Sequence, residues 1–145
     1  ALKIAPTVLR GVTAEDLVMQ EEIFGPVLPV LTVASVEEAC AFVRKRPKPL
    51  ALYLFTGDRK TEKHVLKTVY FGGGCVNDTI IHLATSQMGF GGVGDSGMGA
   101  YHGKKSFETF SHEKSIVKKY TWLDLPLRYQ PYSGIKEKLV RMFVR

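Results

Sequence analysis

The chain reads as an α/β fold built on parallel strands, and three observations predict it. Apolar, β-rich runs at Val27–Val33, Leu50–Phe55 and Gly74–Asn77 alternate with two segments whose apolar residues recur at helical spacing. The links are short, which is the pattern of a parallel βαβαβ core built from crossovers. Each helical segment also carries its own start and stop chemistry.

The first strand, Val27–Val33, leads into Ser35-Val36-Glu37-Glu38. In this S-x-x-E form the serine caps a helix and the glutamate reaches back to the cap amide. A helix over Val36–Arg46 follows, with Val36, Ala39, Cys40 and Val43 on one face, and Pro47 and Pro49 end it because proline cannot donate to a continuing ladder. Leu50–Phe55 is a buried strand and Thr56-Gly57-Asp58 a turn. Lys60–Tyr70 is a second helix with Val65, Leu66 and Val69 inward, stopped by Gly72-Gly73-Gly74. A short strand, Gly74–Asn77, completes the core.

Ligands of such sheets gather beyond the carboxyl ends of the strands, here after Phe55 and after Asn77. The long segment Asp78–Ala100 leaves the sheet at that edge, and a connection of this length without regular structure is usually functional. Beyond it the pattern predicts a short helix over Tyr101–Phe110 and an edge strand over Ser115–Tyr120. Trp122–Pro131 is irregular, and Gly134–Arg145 forms a basic amphipathic helix with Ile135, Leu139, Met142 and Phe143 on one side.

At 145 residues and 45% hydrophobic content the expectation is one globular unit with a real core. No run reaches the ~18 apolar residues of a spanning helix, and Ala1–Pro6 lacks the regions of a signal peptide, so a cytoplasmic location is expected. Two cysteines, Cys40 and Cys75, without a CxxC, exclude a disulfide framework and a cysteine zinc site, and both are read as reduced and buried. The net charge of +6 is uneven: residues 101–145 hold ten of the 20 Lys/Arg but four of the 14 Asp/Glu. Lys104, Lys105, Lys118 and Lys119 lie among apolar residues, which reads as a solvated face or a surface matching an acidic segment.

Gly92-Val93-Gly94-Asp95-Ser96-Gly97 satisfies the G-x-G-x-x-G spacing of dinucleotide-binding loops. That loop needs a strand running into its first glycine and a helix opening at its third. Neither is expected here, because the nearest strand-like stretch, Thr79–Leu83, is eight residues away and Gly97 and Gly99 oppose a helix start. Six glycines between positions 89 and 99 instead predict a sharply turning backbone that passes close to another backbone or a ligand. Among His64, His82, His102 and His112 there is no H-x-x-x-H pair for zinc, and no G-x-S-x-G supplies a serine nucleophile.

Two stretches are more specific. QEEIFGPVLPV (20–30) and FGGVGDSGMGAYHGKKSFETFSH (90–112) resemble the C-terminal part of the aldehyde dehydrogenase superfamily, the second its class 3, fatty aldehyde dehydrogenase-like branch; KPLALYLF (48–55) and GGGCVND (72–78) fall between them in the family's order. The resemblance runs from about residue 5 to residue 131. It implies NAD or NADP as cofactor and oxidation of an aldehyde to a carboxylate through a cysteine nucleophile and a glutamate base. It places those two groups, the oxyanion-hole asparagine and the nucleotide-binding core upstream of every matched segment, so that this chain alone is expected to be inactive. Neither Cys40 nor Cys75 occupies the nucleophile's position.

Residue by residue, the resemblance implies that Glu22 accepts hydrogen bonds from the nicotinamide ribose hydroxyls and that Phe24 packs near the nicotinamide, presented by a Gly25-Pro26 turn. Asn77, at a strand end, is structural at the site. Ile80, Leu83, Ala84 and Phe90 line the aldehyde pocket, with Tyr101 and His102 at its mouth, an apolar wall suited to an aliphatic or aromatic aldehyde. The run Thr85-Ser86-Gln87-Met88 departs from the branch and bears on substrate preference. Residues 1–110 then belong to the catalytic domain, and 111–145 form an oligomerisation strand and basic tail, with a homodimer expected. No metal is implied.

Two other classes follow from the residues themselves. A nucleic-acid-binding module would use the basic residues of 104–145 with Tyr120, Trp122, Tyr129 and Tyr132 as stacking groups. A stand-alone oligomerisation module would pair through its edge strand. The terminal helix is too short and charged to span a membrane; lying on an anionic lipid surface is the lesser membrane alternative, and no nucleic-acid partner is expected under the leading reading.

Overall fold

The computed structural model describes residues 3–144. Its strands are β1 (Thr7–Arg10), β2 (Val27–Val30), β3 (Ala51–Leu54) and β4 (Gly73–Val76); its helices are α1 (Val36–Arg44), α2 (Arg59–Thr68), α3 (Gly103–Thr109) and α4 (Gly134–Phe143). Both strand pairs are parallel: β1 runs beside β2, with Thr7 opposite Val27, and β3 beside β4, with Ala51 opposite Gly73. The α/β class of parallel strands with intervening helices is therefore what the chain adopts.

The strands do not form one continuous ladder. Among the described residues they make two two-stranded sheets, and β2 pairs with β1 and not with β3. β1, of sequence TVLR, was not anticipated, since four residues ending in arginine carry too little alternation to signal a strand. Pro29 explains part of the difference, because it removes a donor from β2 and suits a strand paired on one side.

The helices start where their caps dictate. Ser35 Oγ accepts the Glu38 amide at 3.1 Å, and the Glu38 carboxylate reaches back to the Ala34 amide at 2.6 Å, one residue before the cap. For α2, Asp58 accepts the Thr61 hydroxyl (2.8 Å), the Thr61 amide (2.9 Å) and the Lys60 amide (3.2 Å). These bonds, the Thr61 hydroxyl foremost, hold the Asp58 carboxyl below its ordinary value.

α1 and α2 enclose a small core of Cys40, Val65 and Val69, against which Val43, Leu52, Leu54 and Phe71 pack. Cys40 is buried, whereas Cys75 is only half-buried, and both are free thiols. Leu66, read as inward, is exposed, and so is Val36 at the start of the apolar face of α1. The expectation of one globular unit is also corrected: the chain divides into two compact units, one ending at Ser111 and one beginning at His112. The accessible surface is 12745 Å², against about 8,700 Å² for two self-contained globules of these sizes. Val8, Leu28, Phe55 and Tyr70 are among the exposed apolar side chains.

In the second unit the expected strand Ser115–Tyr120 is absent: no ladder forms there among the described residues, and Ile116 and Val117 stand in solvent. A strand needs a partner's amides and carbonyls, and this segment finds none within its unit. Asp124 organises the next stretch, accepting from Lys119 Nζ and from the Tyr129 hydroxyl, each at 2.7 Å. These contacts, Lys119 first, lower its carboxyl, and Asp124 in turn raises the Tyr129 hydroxyl. Lys136 of α4 donates to the carbonyls of Tyr129 (2.9 Å) and Pro131 (3.0 Å). No described helix is long and apolar enough to cross a membrane.

The β3–β4 pair is tight enough to demand glycine. A β-carbon on Gly74 would run into the Leu52 carbonyl, whereas one on Gly57 would meet nothing within 4 Å. Gly74→Ala is expected to lower the unfolding free energy by about 1–3 kcal/mol, and Gly57→Ala to change it by less than about 0.5 kcal/mol, as measured by urea denaturation.

Candidate functional site

The site is built where β3 and β4 end. The Asn77 amide donates to the Leu54 carbonyl at 2.7 Å. Its side chain then repeats the ladder one step further: Oδ1 accepts the Thr56 amide (2.8 Å) and Nδ2 donates to the Thr56 carbonyl (2.9 Å). Asn77 adopts φ +58°, a left-handed conformation that asparagine tolerates better than most residues. The backbone therefore leaves the sheet abruptly, through the Asp78–Thr79 turn, into a single 3-10 turn, Ile81–Leu83.

His82, central to this turn, is buried. Its Nδ1 lies 3.5 Å from Cys75 Sγ on β4, its ring meets Tyr53 edge-on at 5.8 Å, and Nε2 has no partner among the described residues. The imidazole also packs on Phe90 at 5.7 Å; Phe90 in turn contacts Tyr101 (5.7 Å) and His102 (6.2 Å), and these two lie 4.5 Å apart. An unbroken line of rings thus runs from β3 to the start of α3. Reciprocal backbone bonds between Phe90 and Tyr101 (2.8 and 2.9 Å) close residues 91–100 into a loop.

Inside that loop the glycines serve the backbone. A β-carbon on Gly91 would strike the Gly99 carbonyl, and one on Gly92 the Ser96 carbonyl. Gly94, Gly97 and Gly99 take φ of +62°, +138° and +73°. Ser96 Oγ accepts the Val93 amide (2.9 Å) and donates to the Val93 carbonyl (3.1 Å), locking the turn. No strand enters Gly92 and no helix opens at Gly97, so the G-x-G-x-x-G spacing is not a phosphate loop.

Glu22 and Phe24 lie on an irregular segment before β2. Both are exposed, Phe24 at 93%, and Phe24 has φ +45°. Within this chain the Phe24 ring packs in no core. No hydrogen bond or ring contact among the described residues links either of them to the Asn77–His102 group.

Among the described residues, the non-glycine residues with positive φ are Phe24 (+45°), Asn77 (+58°), Ile80 (+65°) and His102 (+88°). Each such conformation costs on the order of 1–3 kcal/mol, and such strain collects at functional sites. All four are residues that the sequence had already singled out. Phe90, Tyr101 and His102 are in mutual contact. Ala84 lines an open cavity of about 570 Å³ together with Cys75, His82 and Met88. Phe90 and Tyr101 border a separate one of about 300 Å³ under the glycine loop. Ile80 is exposed, Leu83 half-buried, and neither lines these two cavities.

The family model described as "Aldehyde dehydrogenase family" matches residues 2–116. The chain belongs to the aldehyde dehydrogenase family. It is 51% identical to aldehyde dehydrogenase family 3 member H1 of Arabidopsis thaliana over 99% of its own length and 30% of the relative's. It is 54% identical to the dimeric, NADP-preferring aldehyde dehydrogenase of Bos taurus, over 79% of this chain and 48% of that one. Among solved structures, the substrate-bound state of Staphylococcus aureus AldH superposes with a TM-score of 0.87 at 52% identity, covering 99% of this chain and 31% of that one. The relatives place it in class 3, and the chain spans between 30% and 48% of their lengths.

Within this aldehyde dehydrogenase chain the sequence reading left His82 unassigned, although it is the buried hub of the ring line. Its setting between Ile81 and Leu83 was the available signal. If Asn77 anchors the site through both its bonds and its φ, Asn77→Ala lowers the unfolding free energy by about 2–3 kcal/mol. Asn77→Gly, which keeps the conformation and loses only the bonds, costs about 1 kcal/mol less. Ile80→Gly, which releases a β-branched residue from φ +65°, is expected to stabilise by about 1 kcal/mol in the same denaturation series.

Proposed function

We propose that this chain supplies one side of the active site of an NAD(P)-dependent aldehyde dehydrogenase that oxidises apolar aldehydes to carboxylates. The observation that carries the reading is the coincidence of the four strained residues with positions that the family resemblance assigns to cofactor contact, strand-end anchoring and substrate pocket. A protein maintains such strain where a side chain must be aimed, and here the aimed groups are an aromatic ring, an aliphatic wall and an imidazole.

The residues present fit the cofactor. Glu22 offers an exposed carboxylate, acceptor-only and suited to two ribose hydroxyl donors, and Phe24 offers an uncovered ring two residues on. When bound, NAD(P)+ supplies the hydride acceptor; what this chain does is orient its ribose and border its nicotinamide. On this reading Ile80, Leu83, Ala84 and Phe90 each contribute to the apolar lining of the aldehyde pocket, with Tyr101 and His102 at its mouth, although Ala84 and Phe90 border separate cavities within this chain. The resemblance assigns the nucleophile and the base to other residues of the enzyme, and Cys40, on α1, is buried in the core between α1 and α2. The surface excess and exposed apolar side chains fit a chain that is covered by further protein. We assign Ser111–Tyr120 to strand pairing in a homodimer working in the cytoplasm.

Several basic residues of the last third are paired locally, Lys105 and Lys104 with Glu108, Lys119 with Asp124 and Arg141 with Glu137. No observation favours a nucleic-acid or stand-alone oligomerisation module.

Purified residues 1–145 are expected to show no NAD(P)-dependent aldehyde oxidation by absorbance at 340 nm, whereas the complete dehydrogenase turns over. In the complete enzyme, Glu22→Gln is expected to lower kcat/KM for NAD(P)+ about tenfold or more and to leave the aldehyde KM unchanged. Turnover by the isolated chain, or an unaltered cofactor kcat/KM, contradicts the reading.

A further inference from the structure

Arg46 lies two residues past the end of α1, half-buried, and makes long-range contacts that its place in the chain does not suggest. Its guanidinium lies over the Phe42 ring, one helical turn back, at 4.5 Å from the centroid. From that fixed platform its two terminal nitrogens reach back across the sequence: Nη2 donates to the Ala14 carbonyl at 3.1 Å and Nη1 to the Met19 carbonyl at 3.3 Å. One planar fork therefore spans the turn that holds the 3-10 helix Leu17–Met19. Gln20 Nε2 adds a bond to the same Ala14 carbonyl at 3.0 Å. Glu22 lies three residues beyond Met19, at most about 11 Å of chain.

Among the described residues, Glu21 to Phe24 make no hydrogen bonds of their own. The segment is held at its ends, by the Arg46 and Gln20 clamp on one side and by the start of β2 on the other. We propose that Arg46 is a positioning residue for the cofactor-contact segment, fixing from α1 the point at which Glu22 and Phe24 are launched. This rests on the reading of Glu22 as the ribose contact. Arg46 touches neither cofactor nor substrate; it acts through the Ala14–Met19 backbone. Lysine cannot replace it fully, since a single ammonium gives neither the two-carbonyl fork nor the planar stack on Phe42.

The test is a double-mutant cycle in the complete dehydrogenase with Arg46→Gln, Glu22→Gln and the pair, and with Arg46→Lys as the conservative variant. Arg46→Gln is expected to lower kcat/KM for NAD(P)+ about three- to tenfold with the aldehyde KM unchanged. Arg46→Lys should recover part of the loss, and the double variant should be little worse than Glu22→Gln alone, because both act on one contact. If Glu22→Gln impairs the enzyme while Arg46→Gln does not, or if the two losses multiply in full, Arg46 is not a positioning residue. A silent Glu22→Gln removes the cofactor reading itself and this inference with it. Should Arg46→Gln fail to fold, by circular dichroism, Arg46→Lys carries the comparison, and a cofactor kcat/KM equal to wild type in that variant overturns the proposal.

Discussion

The amide side chain of Asn77 is the interaction on which the site depends. A two-stranded parallel pair frays at its carboxyl end unless something continues the ladder, and Asn77 continues it by offering both an acceptor and a donor to Thr56. Its left-handed backbone simultaneously turns the chain away from the sheet. The turn that carries Ile80, His82 and Leu83 therefore starts from a fixed point, and the line of rings from Tyr53 through His82 and Phe90 to Tyr101 and His102 has an anchored origin.

From that origin the glycine loop follows. Phe90 and Tyr101 pair their backbones, carbonyls stand where β-carbons on Gly91 and Gly92 would be, and Gly94, Gly97 and Gly99 take positive φ. The loop's composition is a consequence of crowding at Gly91 and Gly92 and of backbone conformation at Gly94, Gly97 and Gly99, not of phosphate recognition. The same economy applies on the other side of the chain, where Glu22 and Phe24 make no hydrogen bonds of their own and take their placement from neighbours.

Legibility in the sequence was uneven for physical reasons. α1, α2, β3 and β4 were readable to within one or two residues at most boundaries, because their caps, proline stops and apolar periods are local. The pairing of β2 with β1 was not readable: TVLR is short and mixed, and partner choice is a non-local property. Ser115–Tyr120 is the converse case, a strand-like alternation without a partner in its unit. At the site, residue types and order pointed to the family, and the positive φ at Phe24, Asn77, Ile80 and His102 then gave those positions a physical distinction that no periodicity encodes. The roles of His82 and Arg46 escaped because each depends on contacts formed only after folding, the latter across 27 and 32 residues.

The open surface and these features agree with the proposed function, in which the exposed apolar faces, the Glu22 carboxylate, the Phe24 ring and the His102 imidazole meet further protein and ligand. The most direct test is a crystal structure of the complete dehydrogenase with NAD(P)+ and an apolar aldehyde analogue. The account predicts the Glu22 carboxylate within about 2.5–3.0 Å of the nicotinamide ribose hydroxyls, Phe24 beside the nicotinamide, and the analogue against Ile80 and Phe90. Glu22 left in solvent with the ribose held by other residues would contradict it.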